Sequence, residues 1–237
     1  RVINDRGYIS QATRAKVETA IAELGYVPNV LARGLRSKRT HTLALVMTDI
    51  TNPFFTMMAR GVEDAASQDG YTVIFCNTDE AEAEEEKYAN ILAQKQVDGI
   101  LLVPARSNSK TVEFFQANEI PVVVIDRRIP GFDVDSVRCD SRQGAYDLTR
   151  LLVELGHQRI AMITGPEGVS TSDDRVTGYR QALNEAGLSD YEKIFYGSYT
   201  QAGGYDLAIQ AMQQVPAPSA LFGANNFISI GILKALR

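Results

Sequence analysis

Residues that bind metals or act as nucleophiles are scarce in this chain, which holds two histidines and two cysteines. His41 and His157 lie far apart with no ligand spacing, which argues against a metal site. Cys76 and Cys139 are also far apart and sit in apolar, strand-like runs. They read as small buried hydrophobes in a reducing compartment. There is no G-x-S-x-G elbow, no P-loop, and no G-x-G-x-x-G after a strand. Gly165-Pro166-Glu167-Gly168 follows an apolar run but lacks the Lys-Ser/Thr partner of a phosphate loop, and reads as a turn. The acidic run Glu84-Glu85-Glu86 reads as a solvated helix face. The chain is therefore expected not to be an enzyme and to need no metal or cofactor. No apolar run approaches membrane-spanning length, and Arg1 opens no leader pattern, although the chain does not begin with Met. A cytoplasmic location follows, with no membrane partner.

Acid is missing from one stretch. Residues 26–40 carry Arg33, Arg36, Lys38 and Arg39 and no Asp or Glu. Residues 1–40 hold eight Lys/Arg against three Asp/Glu, and the rest hold 16 against 26, so a basic end of +5 adjoins a body of −10. That asymmetry points to a polyanion partner at the basic end alone. Leu31 and Leu35, four residues apart with Ala32 alongside, would share one helix face. A basic segment with a small apolar wedge suits the DNA minor groove; its other reading is a solvated linker.

The chain's 237 residues, 45% hydrophobic, are enough for one large or two modest cores. Ser10 as N-cap and Gly25 as stop frame a helix over Gln11–Leu24. From Thr42 onward, short apolar runs alternate with helical stripes. Strands are expected at 42–47, 71–76, 99–103, 121–125, weakly at 136–139, then at 159–163, 193–196 and 220–222. Helices are expected at 53–69, 83–96, 109–118, 142–156, 172–187, 201–214 and 226–236. Asn52 would N-cap the first of these, with Pro53 at its first position. Repeated strand–helix units imply an α/β fold of doubly wound parallel sheets. The irregular stretch 126–135, with Pro130 and Gly131, divides the body into two lobes. The expected organisation is a helical piece at 1–25, a basic joining stretch at 26–40, an N-terminal lobe at 41–139 and a C-terminal lobe at 140–237 with too few strands to be complete.

Ligands of parallel α/β sheets bind beyond the carboxyl ends of the strands. The segments there are Asp49–Phe55, Asn77–Asp79, Asp126–Arg128, Asp140-Ser141, Asp173–Arg175, Ser198-Tyr199 and Asn225-Asn226. Acids, amides, arginines and aromatics are the apparatus for a polyhydroxylated ligand: carboxylates and amides pair with vicinal hydroxyls, and aromatic faces stack on rings.

Several stretches together resemble the LacI/GalR family of bacterial transcriptional regulators over nearly the whole length. They are R-V-I-N at 1–4, T-R-A-K-V-x-x-A-I-x-x-L-G-Y-x-P-N at 13–29, A-R-G-L at 32–35 and D-I-T-N-P-F-F at 49–55. Further on come D-G-I at 98–100, L-G-H-Q-R-I-A at 155–161 and A-N-N-F-I-S-I-G at 224–231. The resemblance implies a helix-turn-helix DNA-binding domain, of which 1–25 would be the remnant, a hinge helix over 26–40, and a core of two lobes like the type I periplasmic binding proteins. It implies a homodimer that binds operator DNA and a small effector, a sugar or nucleobase, in the interlobe cleft. Carried over by position, Phe54, Phe55, Asp140, Arg175, Tyr199 and Asn226 would line the effector site. Arg1, Asn4, Asn29, Ala32, Leu35 and Arg36 would meet DNA, with Leu35 as the minor-groove wedge. Two positions depart from the family pattern: Gly34 replaces the commoner Ser, and Asn226 stands where many members have Asp. The alternative reading is a transport-type sugar-binding protein without DNA binding.

Overall fold

The computed structural model describes residues 8–26 and 39–237. The expected DNA contacts Arg1, Asn4, Asn29, Ala32, Leu35 and Arg36 lie outside the described residues, as does the expected hinge helix. The chain forms two compact units, Arg1–His41 and Thr42–Arg237. In the first, helix α1 spans Gln11–Leu24. Ser10 stands in extended backbone and accepts from the Thr13 amide, so a hydroxyl satisfies one of the free N–H groups at the helix start. Gly25, with φ of 55°, ends the helix in the left-handed conformation, which costs a residue without Cβ nothing.

The second unit holds two parallel sheets. The larger comprises β1 (Thr42–Met47), β2 (Thr72–Asn77), β3 (Gly99–Leu102), β4 (Val122–Ile125) and β5 (Ser136–Val137), in the order β2-β1-β3-β4-β5. The smaller comprises β6 (Ile160–Thr164), β7 (Lys193–Tyr196) and β8 (Ala220–Gly223), in the order β7-β6-β8. Every strand pair is parallel; Leu43, for example, faces Val73 on one side and Gly99 on the other. In each sheet the first strand lies between its two successors. The chain leaves it in both directions, which opens a crevice at its carboxyl end.

Seven helices cover the sheets: α2 (Pro53–Gln68), α3 (Glu82–Gln94), α4 (Lys110–Ala117), α5 (Ser141–Glu154), α6 (Ser170–Glu185), α7 (Gln201–Met212) and α8 (Asn226–Ala235). Alternation along β1 sends Ala44 and Val46 to one face, where they pack with Leu92 of α3 and Phe115 of α4. Leu45 and Met47 go to the other face, with Phe55 of α2. In the smaller sheet Ile160 and Met162 pack with Tyr179 and Leu183 of α6, while Ile163 meets Ala208 and Ile228 of α7 and α8. Burial on both faces explains why β1 and β6 read as continuous apolar runs rather than alternating ones. The Tyr179 hydroxyl lies within this core and donates to the Ile160 carbonyl at 2.7 Å; burial pushes its pKa up to about 12.

Two expectations need correction. The weak strand stops at Val137, and Cys139 beyond it is exposed, not a buried hydrophobe. Cys76 in β2 is buried, and burial pushes its thiol up to about 11. The second correction concerns the acidic run Glu84-Glu85-Glu86, read as a solvated helix face: Glu85 is buried, and its carboxylate accepts from the Ala105 N–H.

Candidate functional site

A cavity of about 790 Å³ lies where the carboxyl ends of the two sheets face each other. Thr48, Asp49, Phe54, Asp79, Glu80, Arg106, Asp126 and Arg127 line it from the larger sheet's lobe. Thr171, Arg175, Ser198, Tyr199 and Asn226 line it from the smaller sheet's lobe.

Each element places its residues for a local reason. Asn52 precedes Pro53 and caps α2, its side chain accepting from the Phe54 amide at 3.0 Å. This cap, with Pro at the first helical position, brings the Phe54 and Phe55 rings to the crevice in an edge-to-face pair 5.1 Å apart. Phe55 is mostly buried in the core and touches the cavity from behind, while Phe54 is 38% exposed. The same Asn52 oxygen accepts from Asn226 Nδ2 at 3.1 Å, a bond from one lobe to the other. Asn226 opens α8, capped by Asn225.

Tyr199 is held on three sides. Its hydroxyl shares hydrogen bonds with Ser172 and with Thr171, the latter at 3.1 Å. Its ring lies against Gly165, where any Cβ would overlap it. The guanidinium carbon of Arg127 sits 5.9 Å from the ring centroid. The Arg175 side chain is half-buried and, among the described residues, makes no hydrogen bond to a protein group; Asp126 lies within its electrostatic reach. Burial is the largest influence on Asp126 and raises its pKa, against the pull of Arg175 and Arg127.

The lobes meet beside the cavity as well. Arg128 N–H donates to Ser170 Oγ at 2.7 Å, and Ser170 N–H to Ser107 Oγ at 3.0 Å. Asp174 accepts from Arg128 at 3.0 Å and from Arg138 at 3.4 Å.

The fold thus brings together five of the six residues expected at the effector site: Phe54, Phe55, Arg175, Tyr199 and Asn226. Asp140 is the exception. Its exposed side chain caps α5, accepting from the Gln143 amide at 2.9 Å, and it is not among the cavity's lining residues. A carboxylate used as a cap stays at the helix start. Glu80 carries no signal of its own in the sequence, and Arg127 stands there only as part of the strand-end segment Asp126–Arg128. The signal was position, a charged pair just beyond an apolar run, and position alone gives no partner. Among the described residues, no group of three His, Cys, Asp or Glu side chains is placed to hold a metal, and no helix is long and apolar enough to cross a membrane.

Two parallel α/β lobes around a cleft lined by aromatic and charged residues define a ligand-binding core of the periplasmic-binding-protein type. The family described as periplasmic binding proteins and sugar binding domain of LacI family matches residues 40–237. Bacterial regulatory proteins of the lacI family match residues 1–29. The chain belongs to the LacI family: it is a ligand-responsive, DNA-binding transcriptional regulator of the repressor type. It is 36% identical over 239 residues to the ribose operon repressor of Escherichia coli K12, covering 99% of this chain and 72% of that one. It is 34% identical to the HTH-type transcriptional regulator DegA of Bacillus subtilis, covering 100% and 71%. Among solved structures, a transcriptional regulator CelR–cellobiose complex superposes with a TM-score of 0.77 at 32% identity, covering 100% of this chain and 72% of that one. A LacI family regulator from Enterococcus faecium with bound ribose gives 0.73 at 27% identity, covering 82% and 71%. The match over residues 1–29 favours the regulator over the transport-type alternative.

Proposed function

We propose that the cavity between the two sheets is the effector site, that the effector is a sugar, and that the protein acts as a homodimer on operator DNA. The observation that carries this reading is Arg175: a half-buried guanidinium lines the cavity and makes no hydrogen bond to a protein group among the described residues. A planar fork of donors opposite the Asp126 carboxylate suits adjacent hydroxyls on one ring, with the Phe54 and Tyr199 faces for its C–H surface. Solved structures of relatives with cellobiose and with ribose support a sugar. Phe54, Phe55, Arg175, Tyr199 and Asn226 are the proposed contacts; with Asn in place of the common Asp, position 226 both donates and accepts. The proposed segments are those drawn above, with the lobe boundary at 139/140 between β5 and α5. Thermal shift and calorimetry with a panel of sugars and nucleobases test the effector class, and a flat response to every sugar would refute it.

At the DNA end, Arg1, Asn4, Asn29, Ala32, Leu35 and Arg36 stand as proposed contacts, with Leu35 as the wedge. In the full-length protein, Leu35→Ala is expected to weaken specific operator binding far more than binding to random DNA. Lys38→Ala is expected to weaken both alike and to flatten the salt dependence by roughly one unit of slope, as for one phosphate contact. Filter binding at several salt concentrations separates the two. An unchanged ratio of specific to random affinity in Leu35→Ala would return residues 26–40 to a solvated linker.

A further inference from the structure

Three residues lining the cavity hold a left-handed backbone without being glycine: Asp79, Glu80 and Asp126, with φ of 49°, 61° and 63°. Side chains with a Cβ seldom adopt this conformation, and it persists where the surroundings over-determine it. At Asp126 the strain has a defined form. The Arg127 N–H donates back to the Ile125 carbonyl at 2.7 Å, so Asp126 sits at the apex of a three-residue turn with positive φ, the rare and strained kind.

The Arg127 side chain holds the surroundings of that turn. It is 2% exposed. One terminal nitrogen donates to the carbonyls of Pro104 and Ala105 at 2.7 and 2.8 Å, and the other to Glu80 Oε1 at 2.6 Å. A single guanidinium therefore ties together the segments that follow β2, β3 and β4, and its outer face meets the Tyr199 ring of the other lobe. Buried Glu85 grips the same segment from behind, accepting from the Ala105 N–H. Yet, among the described residues, Arg127 Nε and Glu80 Oε2 are buried without hydrogen-bond partners. Buried polar atoms left unpaired cost stability, so the cluster is not arranged for stability alone.

We propose that Arg127 is a positioning residue for effector binding, holding Asp126 in its strained turn and fixing the seat of the Tyr199 ring. The inference rests on the cavity being the effector site. It predicts that loss of the fork acts through Asp126. The test uses Arg127→Lys, which keeps the charge but not the planar fork, and Glu80→Gln, which keeps the shape and weakens the pull on the fork. The first readout needs no ligand: hydrogen exchange of the Arg127 amide by NMR, expected to be slow in the unmodified protein and about tenfold faster in either variant. The second is affinity for D-ribose. Arg127→Lys is expected to weaken it about tenfold, but less than about twofold when Asp126 is already Asn, because residues acting through one another are not additive. Equal cost in both backgrounds, with unchanged exchange, overturns the proposal. If Arg127→Lys does not fold, Glu80→Gln decides by the same two readouts. If the unmodified protein binds no sugar, the effector reading fails, and exchange alone then decides whether Arg127 holds the turn.

Discussion

Arg175→Ala is expected to abolish the rise in thermal midpoint that a bound sugar gives, while leaving the unliganded midpoint nearly unchanged. A ligand at a hundred times its Kd stabilises the folded state by about 2.7 kcal/mol, and for a chain of this size that moves the midpoint by about 5–10 °C. The guanidinium supplies several donors at once, so its removal leaves ligand hydroxyls without partners in the site. The unliganded fold should not notice. The Arg175 side chain makes no hydrogen bond to a protein group among the described residues and stands half-buried on a helix that Tyr179 and Leu183 anchor; such substitutions fall within about 0.5 kcal/mol. The charge does help to hold Asp126 ionised, since Arg175 pulls that carboxyl's pKa down. Arg175→Ala is therefore expected to raise the Asp126 pKa further. Any residual binding that needs the carboxylate should then fail at a higher pH than in the unmodified protein. A midpoint rise with D-ribose that survives in Arg175→Ala would remove Arg175 from the site.

What could be read from the sequence was what local patterns encode. The strands β1 and β7 and the helix α1 have the bounds their apolar runs and caps predict. The caps Ser10 and Asn52 work as their positions require. Parallel strands buried on both faces carry their own signature, and the α/β class followed from their repeated alternation with helical stripes. The cavity was partly legible because a doubly wound sheet puts strand ends at its crevice, so polar residues there were candidates before any geometry was known. Two failures share one cause: a polar residue just past a strand can bind a ligand, cap the next helix or pair with another loop, and sequence does not say which. Asp140 caps α5. Arg127 pairs with Glu80, 47 positions earlier in the chain. Cys139 stood in a run that looked apolar enough for a strand, but β5 pairs with β4 over two residues only, leaving the cysteine exposed.

Gly165→Ala is expected to weaken sugar binding about as much as losing the Tyr199 ring. An added Cβ would overlap that ring. The ring's escape is limited, because Arg127, 2% exposed, stands by its face and Ser172 and Thr171 hold its hydroxyl. The open direction is the cavity, about 790 Å³, so the ring must swing into the space a ligand would occupy. Two losses coincide: the hydroxyl leaves Ser172 and Thr171, and the site narrows. The fold itself should lose about 1–3 kcal/mol, the usual cost of overpacking that a side chain can relieve. The pairing gives a test that does not depend on absolute affinities. In a Tyr199→Ala background the obstacle is gone, so Gly165→Ala should cost almost nothing further in midpoint or in affinity. A change acting through one neighbour is non-additive with that neighbour's removal, whereas independent effects add to within about 0.5 kcal/mol. If Gly165→Ala costs the same in both backgrounds, it acts on the backbone of the turn after β6, and Gly165 does not set the place of the Tyr199 ring.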